Sequence, residues 1–294
     1  MSASSGKGFV EIVEVGPRDG LQNEKAVISV AQKASLIHAC AAAGLKSIEM
    51  GSFVNPERVP QMADTGAVMR AVGALEGVRG IVLVPTVRRL QEYVLVRAQA
   101  QFDMGEIAVF VSATEAFSRA NLGCSVAESL ARVAAIMEKV PEGVAVRGYI
   151  SCVTDCPFEG RVDPAAVAAI AAQLGELGCD TLALADTIGK GTPDRVGTVL
   201  EGALAHWSAD KTAAHFHDTV GLALANVDVA LGLGLRSFDS SVAGLGGCPY
   251  APGAPGNLAT EALVGHLADR GYETGVESGK LNEAAAMARQ MVGR

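Results

Sequence analysis

The sequence predicts an α/β fold, a (β/α)8 (TIM) barrel with an extra C-terminal helix. Eight short apolar runs alternate with Ala-rich helical runs from end to end. The apolar runs are filled by Val, Ile and Leu with little polar alternation, as expected of parallel strands buried on both faces. No Gly/Ser or Pro tract splits the chain. Eightfold strand–helix alternation favours a closed barrel over an open doubly wound sheet, and a barrel of roughly 250 residues forms one domain. One catalytic domain is therefore expected over residues 1–294, with the barrel spanning 9–270 and a helical appendage over 271–294.

The strands are expected at 10–15, 47–50, 80–84, 107–111, 144–151, 181–185, 212–216 and 237–242. Ser29 can N-cap a helix that ends near Gly44, with Lys33, Leu36, Ile37 and Cys40 at helical spacing. Pro164 opens another helix that closes near Gly178, and Pro193 opens the next. A helix follows Asn257, and a last amphipathic helix is expected over 282–291.

Composition narrows the function. The chain is 49% hydrophobic and 19% charged, which suits a packed core, and its 4% aromatic content suits close helix–sheet packing. A net charge of −8 argues against a nucleic-acid partner, which needs clustered Lys and Arg. An anionic small substrate needs only a few local cations. Six cysteines, at 40, 124, 152, 156, 179 and 248, form no CxxC pair, so free thiols in a reducing compartment are expected. The first residues carry no apolar leader core, no apolar run is long enough to span a bilayer, and the last carry no peroxisomal tripeptide. The cytoplasm is the expected location, with no membrane partner.

In such barrels chemistry sits on loops after the C-terminal ends of strands. Residues 16–24 after the first strand read Gly-Pro-Arg-Asp-Gly-Leu-Gln-Asn-Glu, and the second strand ends Glu49-Met50-Gly51-Ser52. The fifth carries Arg147 and Tyr149, the sixth ends at Asp186, and the seventh ends His215-Phe216-His217-Asp218. His215 and His217 are two apart on a strand and face one side. Such a pair alone is more often hydrogen-bonded than metal-binding. Barrel closure, however, makes the first strand a neighbour of the eighth and the eighth a neighbour of the seventh. Asp19, His215, His217 and Asn257 can then converge, and a carboxylate, two imidazoles and an amide oxygen suit one divalent ion. Arg18 reads either as a surface ion-pair partner or as a fixed guanidinium that polarises a carbonyl or grips a carboxylate. Glu49 reads either as its buried partner or as a catalytic acid. Arg18, Gln22 and Ser52 are the candidate substrate-binding residues. Asp186 and Asp218 are expected to orient neighbours. Gly-rich segments lack the spacing of a Rossmann or P-loop site.

The most informative segment is 241–257, Ser-Val-Ala-Gly-Leu-Gly-Gly-Cys-Pro-Tyr-Ala-Pro-Gly-Ala-Pro-Gly-Asn. Its glycines permit positive φ, and Pro249, Pro252 and Pro255 stiffen what lies between them. Cys248 sits off any regular element, where a structural cysteine gains little. It reads as a reactive thiol on a loop that can close.

These segments resemble the 3-hydroxy-3-methylglutaryl-coenzyme A lyase family. The resemblance covers nearly the whole chain and is strongest at 13–24, at His215-Phe216-His217-Asp218-Thr219 and at 241–250. The Arg-Asp-Gly-x-Gln portion is shared with wider metal-dependent barrels, including isopropylmalate and homocitrate synthases and pyruvate-dependent aldolases and carboxylases. The cysteine loop narrows the match to the lyases. The resemblance implies cleavage of 3-hydroxy-3-methylglutaryl-CoA to acetyl-CoA and acetoacetate, in leucine breakdown or ketone-body formation. It implies Mg2+ or Mn2+ on Asp19, His215, His217 and Asn257, and catalytic counterparts at Arg18, Glu49, Cys248 and Glu261. Pro255 and Ala262 depart from the family's habits without removing a ligand. A homo-oligomer, a dimer, is expected.

The implied chemistry fits the residues. A bound cation acidifies the substrate's tertiary hydroxyl. Asp19 or one of the histidines takes its proton. Arg18 stabilises charge on the thioester oxygen as the carbon–carbon bond breaks. Cys248, or an acid near it, protonates the released enolate. Three rivals stand beside this reading. One is a condensing synthase of the isopropylmalate or homocitrate type. Another is a lyase for a related branched acyl-CoA, such as an isohexenyl analogue or citramalyl-CoA. The third is a metal-binding barrel without catalysis.

Overall fold

The computed structural model describes residues 7–100, 105–247 and 256–294. Eight strands alternate with helices along the chain. They are β1 Glu11–Glu14, β2 Ser47–Ser52, β3 Arg79–Leu83, β4 Glu106–Ser112, β5 Ala145–Ser151, β6 Thr181–Asp186, β7 Thr212–Phe216 and β8 Ser237–Ser240. All pair in parallel with their neighbours, and β1 pairs with both β2 and β8, so the sheet closes. The β1–β8 register runs from Glu11 opposite Ser237 to Glu14 opposite Ser240. The expected barrel and its C-terminal helix are both present.

Two apolar layers hold it. Inside the barrel, Val13, Val15, Ile81, Leu83, Ala108, Tyr149, Ala183 and Ala213 form a small central cluster. Three of these eight are alanines, and the larger Arg147 and Tyr149 side chains of β5 reach across to Asp239 of β8. Outside it, the second faces of the strands pack on the helices in one continuous layer, from Ile12 and Ile48 to Leu200 and Phe238. Strands buried on both faces are the reason the apolar runs lack alternation.

The helices are α1 Val30–Ala42, α2 Thr65–Val72, α3 Val87–Ala100, α4 Glu115–Leu122, α5 Val126–Met137, α6 Pro164–Glu176, α7 Pro193–Leu204, α8 Ala223–Gly232, α9 Thr260–Asp269 and α10 Ser278–Val292. Ser29 and Gln32 form a reciprocal capping box on α1. Pro164 and Pro193 occupy first turns of α6 and α7. No helix among the described residues is long and apolar enough to cross a membrane.

Local differences from the sequence expectation cluster at the C-terminal end of the barrel. β2 runs on to Ser52 through a bulge between Glu49 and Gly51. β8 stops at Ser240, because Ser241 leads into a tight turn over Val242–Gly244 in which Ala243 has φ 60°. Two helices, α4 and α5, fill the space between β4 and β5. A short hairpin, Asp155–Cys156 with Gly160–Arg161, follows β5. α10 starts four residues earlier than its apolar pattern, at Ser278.

Candidate active site

The site begins where β1 ends. The Gly20 amide donates to the Val15 carbonyl at 3.2 Å, so residues 16–20 make a single wide π-type turn. Glycine is required at its start. A Cβ at Gly16 would lie 2.6 Å from Glu14 Oε1 and 3.1 Å from Ser241 Oγ. The turn carries Arg18 and Asp19 to the mouth of the barrel.

Arg18 is gripped from two sides. Its Nε donates to Glu49 Oε2 at 2.7 Å, and its Nη1 donates to Asp19 Oδ1 at 2.8 Å. Glu49, at the β2 bulge, is fully buried, and burial pushes its carboxyl up despite the Arg18 charge. Its Oε1 has no hydrogen-bond partner among the described residues. Asp19 also accepts from Gln22 Nε2 at 3.1 Å and from Asn257 Nδ2 at 2.8 Å. Burial acts to raise the Asp19 pKa, but the charges of Arg18, His215 and His217 outweigh it and bring it down to about 2.

Asn257 reaches Asp19 because residues 256–258 run antiparallel beside the end of β7, with His217 bridged to Asn257. The Asp218 amide donates to the Gly256 carbonyl at 3.1 Å and the Leu258 amide to Phe216 at 3.0 Å. The Asn257 amide in turn donates to the Gly246 carbonyl at 2.8 Å. Gly246 has φ 88°, and a Cβ there would meet Asn257 Nδ2 at 2.8 Å. Glycine at 246 is thus a condition for seating Asn257.

His215 and His217 rings stand 5.2 Å apart at the end of β7. His215 Nδ1 lies 3.1 Å from Asp239 Oδ2. Burial works to lower the His215 pKa, and its hydrogen bond to Asp239 reverses that into a net rise. His217 is brought down to about 4, chiefly by burial and then by the His215 charge. Its Nδ1 is buried without a hydrogen-bond partner among the described residues. Ligand atoms of Asp19, His215 and His217 lie within 4.8 Å of one another, the only such group of acidic, His and Cys side chains found among the described residues. An ionised Asp19 carboxylate beside two imidazoles, one of them held neutral at His217, is a donor set that suits a divalent cation.

The cluster opens into a cavity of about 840 Å³. Arg18, Asp19, Gln22, Tyr149, His215 and His217 line its floor side, and Arg58, Arg89, Arg119 and Arg132 line it further out. Glu49, Ser52, Asn257 and Glu261 are not among its lining residues. The Ser52 hydroxyl is buried without a partner among the described residues. Glu261 Oε2 accepts from the Ala243 amide at 2.9 Å, and its Oε1 accepts from Arg289 of α10 at 2.9 Å. Cys248, with Pro249, Pro252 and Pro255, lies outside the described residues. Asp186 holds Thr154 and the Gly191 amide, and Asp218 caps the Ala223 amide, so both orient neighbours.

Motif reading misses Asp239 and Glu14. Asp239 bonds Arg147 Nη2 at 2.5 Å, Tyr149 Oη at 2.9 Å and His215. Glu14 accepts from the Gly16 and Val242 amides and from the Thr260 hydroxyl. The available signal is an acid on a barrel strand, a residue type that is almost never fully buried unless paired.

The comparisons with known proteins fall on this geometry. The family model described as HMGL-like matches residues 9–288. The chain is 48% identical to hydroxymethylglutaryl-CoA lyase of Pseudomonas mevalonii, over 91% of this chain and 87% of that one. It is 48% identical to the mitochondrial hydroxymethylglutaryl-CoA lyase of Arabidopsis thaliana over 97% of its own length, and spans 60% of that longer protein. The crystal structure of the HMG-CoA lyase from Brucella melitensis superposes with a TM-score of 0.92 at 46% identity, covering 98% of this chain and all of the other. With that match running through both motif loops and every strand of the barrel, the chain belongs to the HMGL-like family.

Proposed function

We propose that this protein cleaves 3-hydroxy-3-methylglutaryl-CoA to acetyl-CoA and acetoacetate, with Mg2+ or Mn2+ held by Asp19, His215, His217 and Asn257. The observation that carries the reading is the Asp19–His215–His217 cluster on the wall of the cavity, with its unpartnered His217 Nδ1. The names of the relatives supply the substrate. A divalent cation there would supply Lewis acidity to the substrate's tertiary hydroxyl.

The chain's own residues do the rest. Arg18 is immobilised by Glu49 and Asp19, so its charge meets the thioester oxygen as negative charge develops there, without reorganising. Asp19 or one of the two histidines accepts the hydroxyl proton. Gln22 holds Asp19 and faces the same cavity. Cys248 delivers a proton to the released enolate, and closure of its loop keeps water out. Glu261, bonded to Ala243, steadies the start of that loop. Arg58, Arg89, Arg119 and Arg132 give the outer cavity the positive charge that the phosphates of coenzyme A need, on a chain whose net charge is −8. We place the whole chain in one catalytic unit, in a reducing cytoplasm that suits its buried free thiols, and expect a dimer.

Incubation with a panel of branched 3-hydroxyacyl-CoAs and Mg2+, with products identified by mass, tests the reading. Acetyl-CoA and acetoacetate from the methyl-branched substrate are the expected products. CoA release that depends on a 2-oxo acid would instead identify a condensing enzyme.

A further inference from the structure

Asp239 is an acceptor-only group surrounded by donors. Arg147 Nη2 meets its Oδ1 at 2.5 Å, and the Tyr149 hydroxyl donates to its Oδ2 at 2.9 Å. His215 Nδ1 lies 3.1 Å from the same Oδ2. Asp239 and His215 are register partners on β8 and β7, so both side chains point to the same face. Asp239 and Arg147 are each 2% exposed. A carboxylate facing an imidazole nitrogen requires the proton on that nitrogen. Nδ1 of His215 is therefore the N–H, and Nε2 keeps the lone pair. We infer that Asp239 is a positioning residue for the cation, fixing His215 as the tautomer whose Nε2 can ligate. Arg147 and Tyr149 hold Asp239 so that it cannot turn away. The inference rests on the metal reading proposed above.

Exchange of Asp239 for Asn separates this role from simple charge balance. Arg147 demands an acceptor, so the amide oxygen stays with it and the amide nitrogen faces His215. An N–H in that position drives the imidazole proton to Nε2, the nitrogen meant for the cation.

The test has two readouts besides activity. Long-range 1H–15N correlation on protein labelled at histidine reads each ring's tautomer, with the His215 signals assigned by their loss in His215→Gln. Unaltered protein should show Nδ1–H at His215. Mn2+ titration followed by electron paramagnetic resonance should show Asp239→Asn binding about 10–100-fold more weakly, with the His215 proton moved to Nε2. A His215 carrying Nε2–H in unaltered protein overturns the inference, and that measurement does not depend on the Asp239 variant folding. So does Asp239→Asn that binds Mn2+ as tightly as the unaltered protein. Failure of the unaltered protein to bind Mn2+ sinks the metal reading instead, while the tautomer still decides what Asp239 does to His215.

Discussion

At the N-terminal end of the barrel, Arg79 reaches Glu11 at 2.6 Å and Glu106 at 3.2 Å. Ser47 donates to Glu11, and Thr181 donates to Glu106. Each of these residues begins its strand. At the C-terminal end, Arg18 bridges Glu49 and Asp19, and Arg147 and His215 share Asp239. Both ends pair arginine with buried acids, and only the upper end adds imidazoles. At the lower end the Arg79 pairs are shared with strand-start residues and border a smaller pocket of about 500 Å³, and no cluster of metal-ligating side chains is found there among the described residues. At the upper end, His217 Nδ1 and Glu49 Oε1 have no hydrogen-bond partner among the described residues, and Asp19 faces the cavity. Charge paired between strand starts, as where Arg79 Nε and Glu106 Oε2 meet as an ion pair without a hydrogen bond, fixes the strands. Charge grouped with two imidazoles on the wall of the larger cavity leaves room for chemistry.

Substitutions at the two ends should therefore fail in different ways. The largest effect is expected for Cys248→Ser, which replaces a thiol by a hydroxyl, a far weaker acid, and should lower kcat by about 10²-fold or more. Its melting temperature should not change. A thiol-alkylating reagent should inactivate the unaltered protein, more slowly with a substrate analogue and metal present. Near-normal kcat in Cys248→Ser would assign the proton to another group.

Arg18→Lys keeps the charge and loses the planar fork that Glu49 and Asp19 grip. It should cost kcat about 10²-fold with a smaller change in KM. A raised KM with normal kcat would reduce Arg18 to a binding residue. The matching change at the other end, Arg79→Gln, should leave kcat alone. Arg79 is about one-third exposed, so its pairs are discounted for solvent, and the loss should be about 1–2 kcal/mol. A fall in Tm of a few degrees would register it. A drop in kcat for Arg79→Gln would erase the contrast between the ends.

The smallest expected effect concerns Glu14, which ties the β1 turn to the start of the cysteine loop. Burial, against its three donors and with help from the Glu261 charge, lifts its pKa from 4.5 to about 7. Between those values the folded chain keeps a proton that the unfolded chain has lost. Its share of stability therefore falls as pH rises from about 5 to 7.5. Glu14→Gln should flatten that part of the Tm–pH curve. An unchanged slope would mean that Glu14 is ionised throughout.

The barrel was readable because its strands are buried on both faces and therefore written as short Val, Ile and Leu runs. The upper cluster was readable in part, because His215-Phe216-His217 and Arg18-Asp19 are contiguous and strand closure brings them together. Asp239 escaped because its meaning lies in a register with His215 across two strands, which no local pattern encodes. The π-type turn at 16–20 escaped because Gly16 is crowded by Ser241 and Val242 at the far side of the seam, an approach that no local pattern encodes. The α4–α5 pair and the 155–161 hairpin interrupt the simple strand–helix alternation on which the sequence reading rests.

The most direct measurement is cleavage of 3-hydroxy-3-methylglutaryl-CoA by the chelator-stripped protein before and after metal is returned. The stripped protein should yield no acetyl-CoA or acetoacetate, Mg2+ or Mn2+ should restore both, and Asp19→Asn should stay inactive under the same addition. Full activity without metal, or no cleavage with it, would contradict the assignment of the upper cluster as a cation-dependent lyase site.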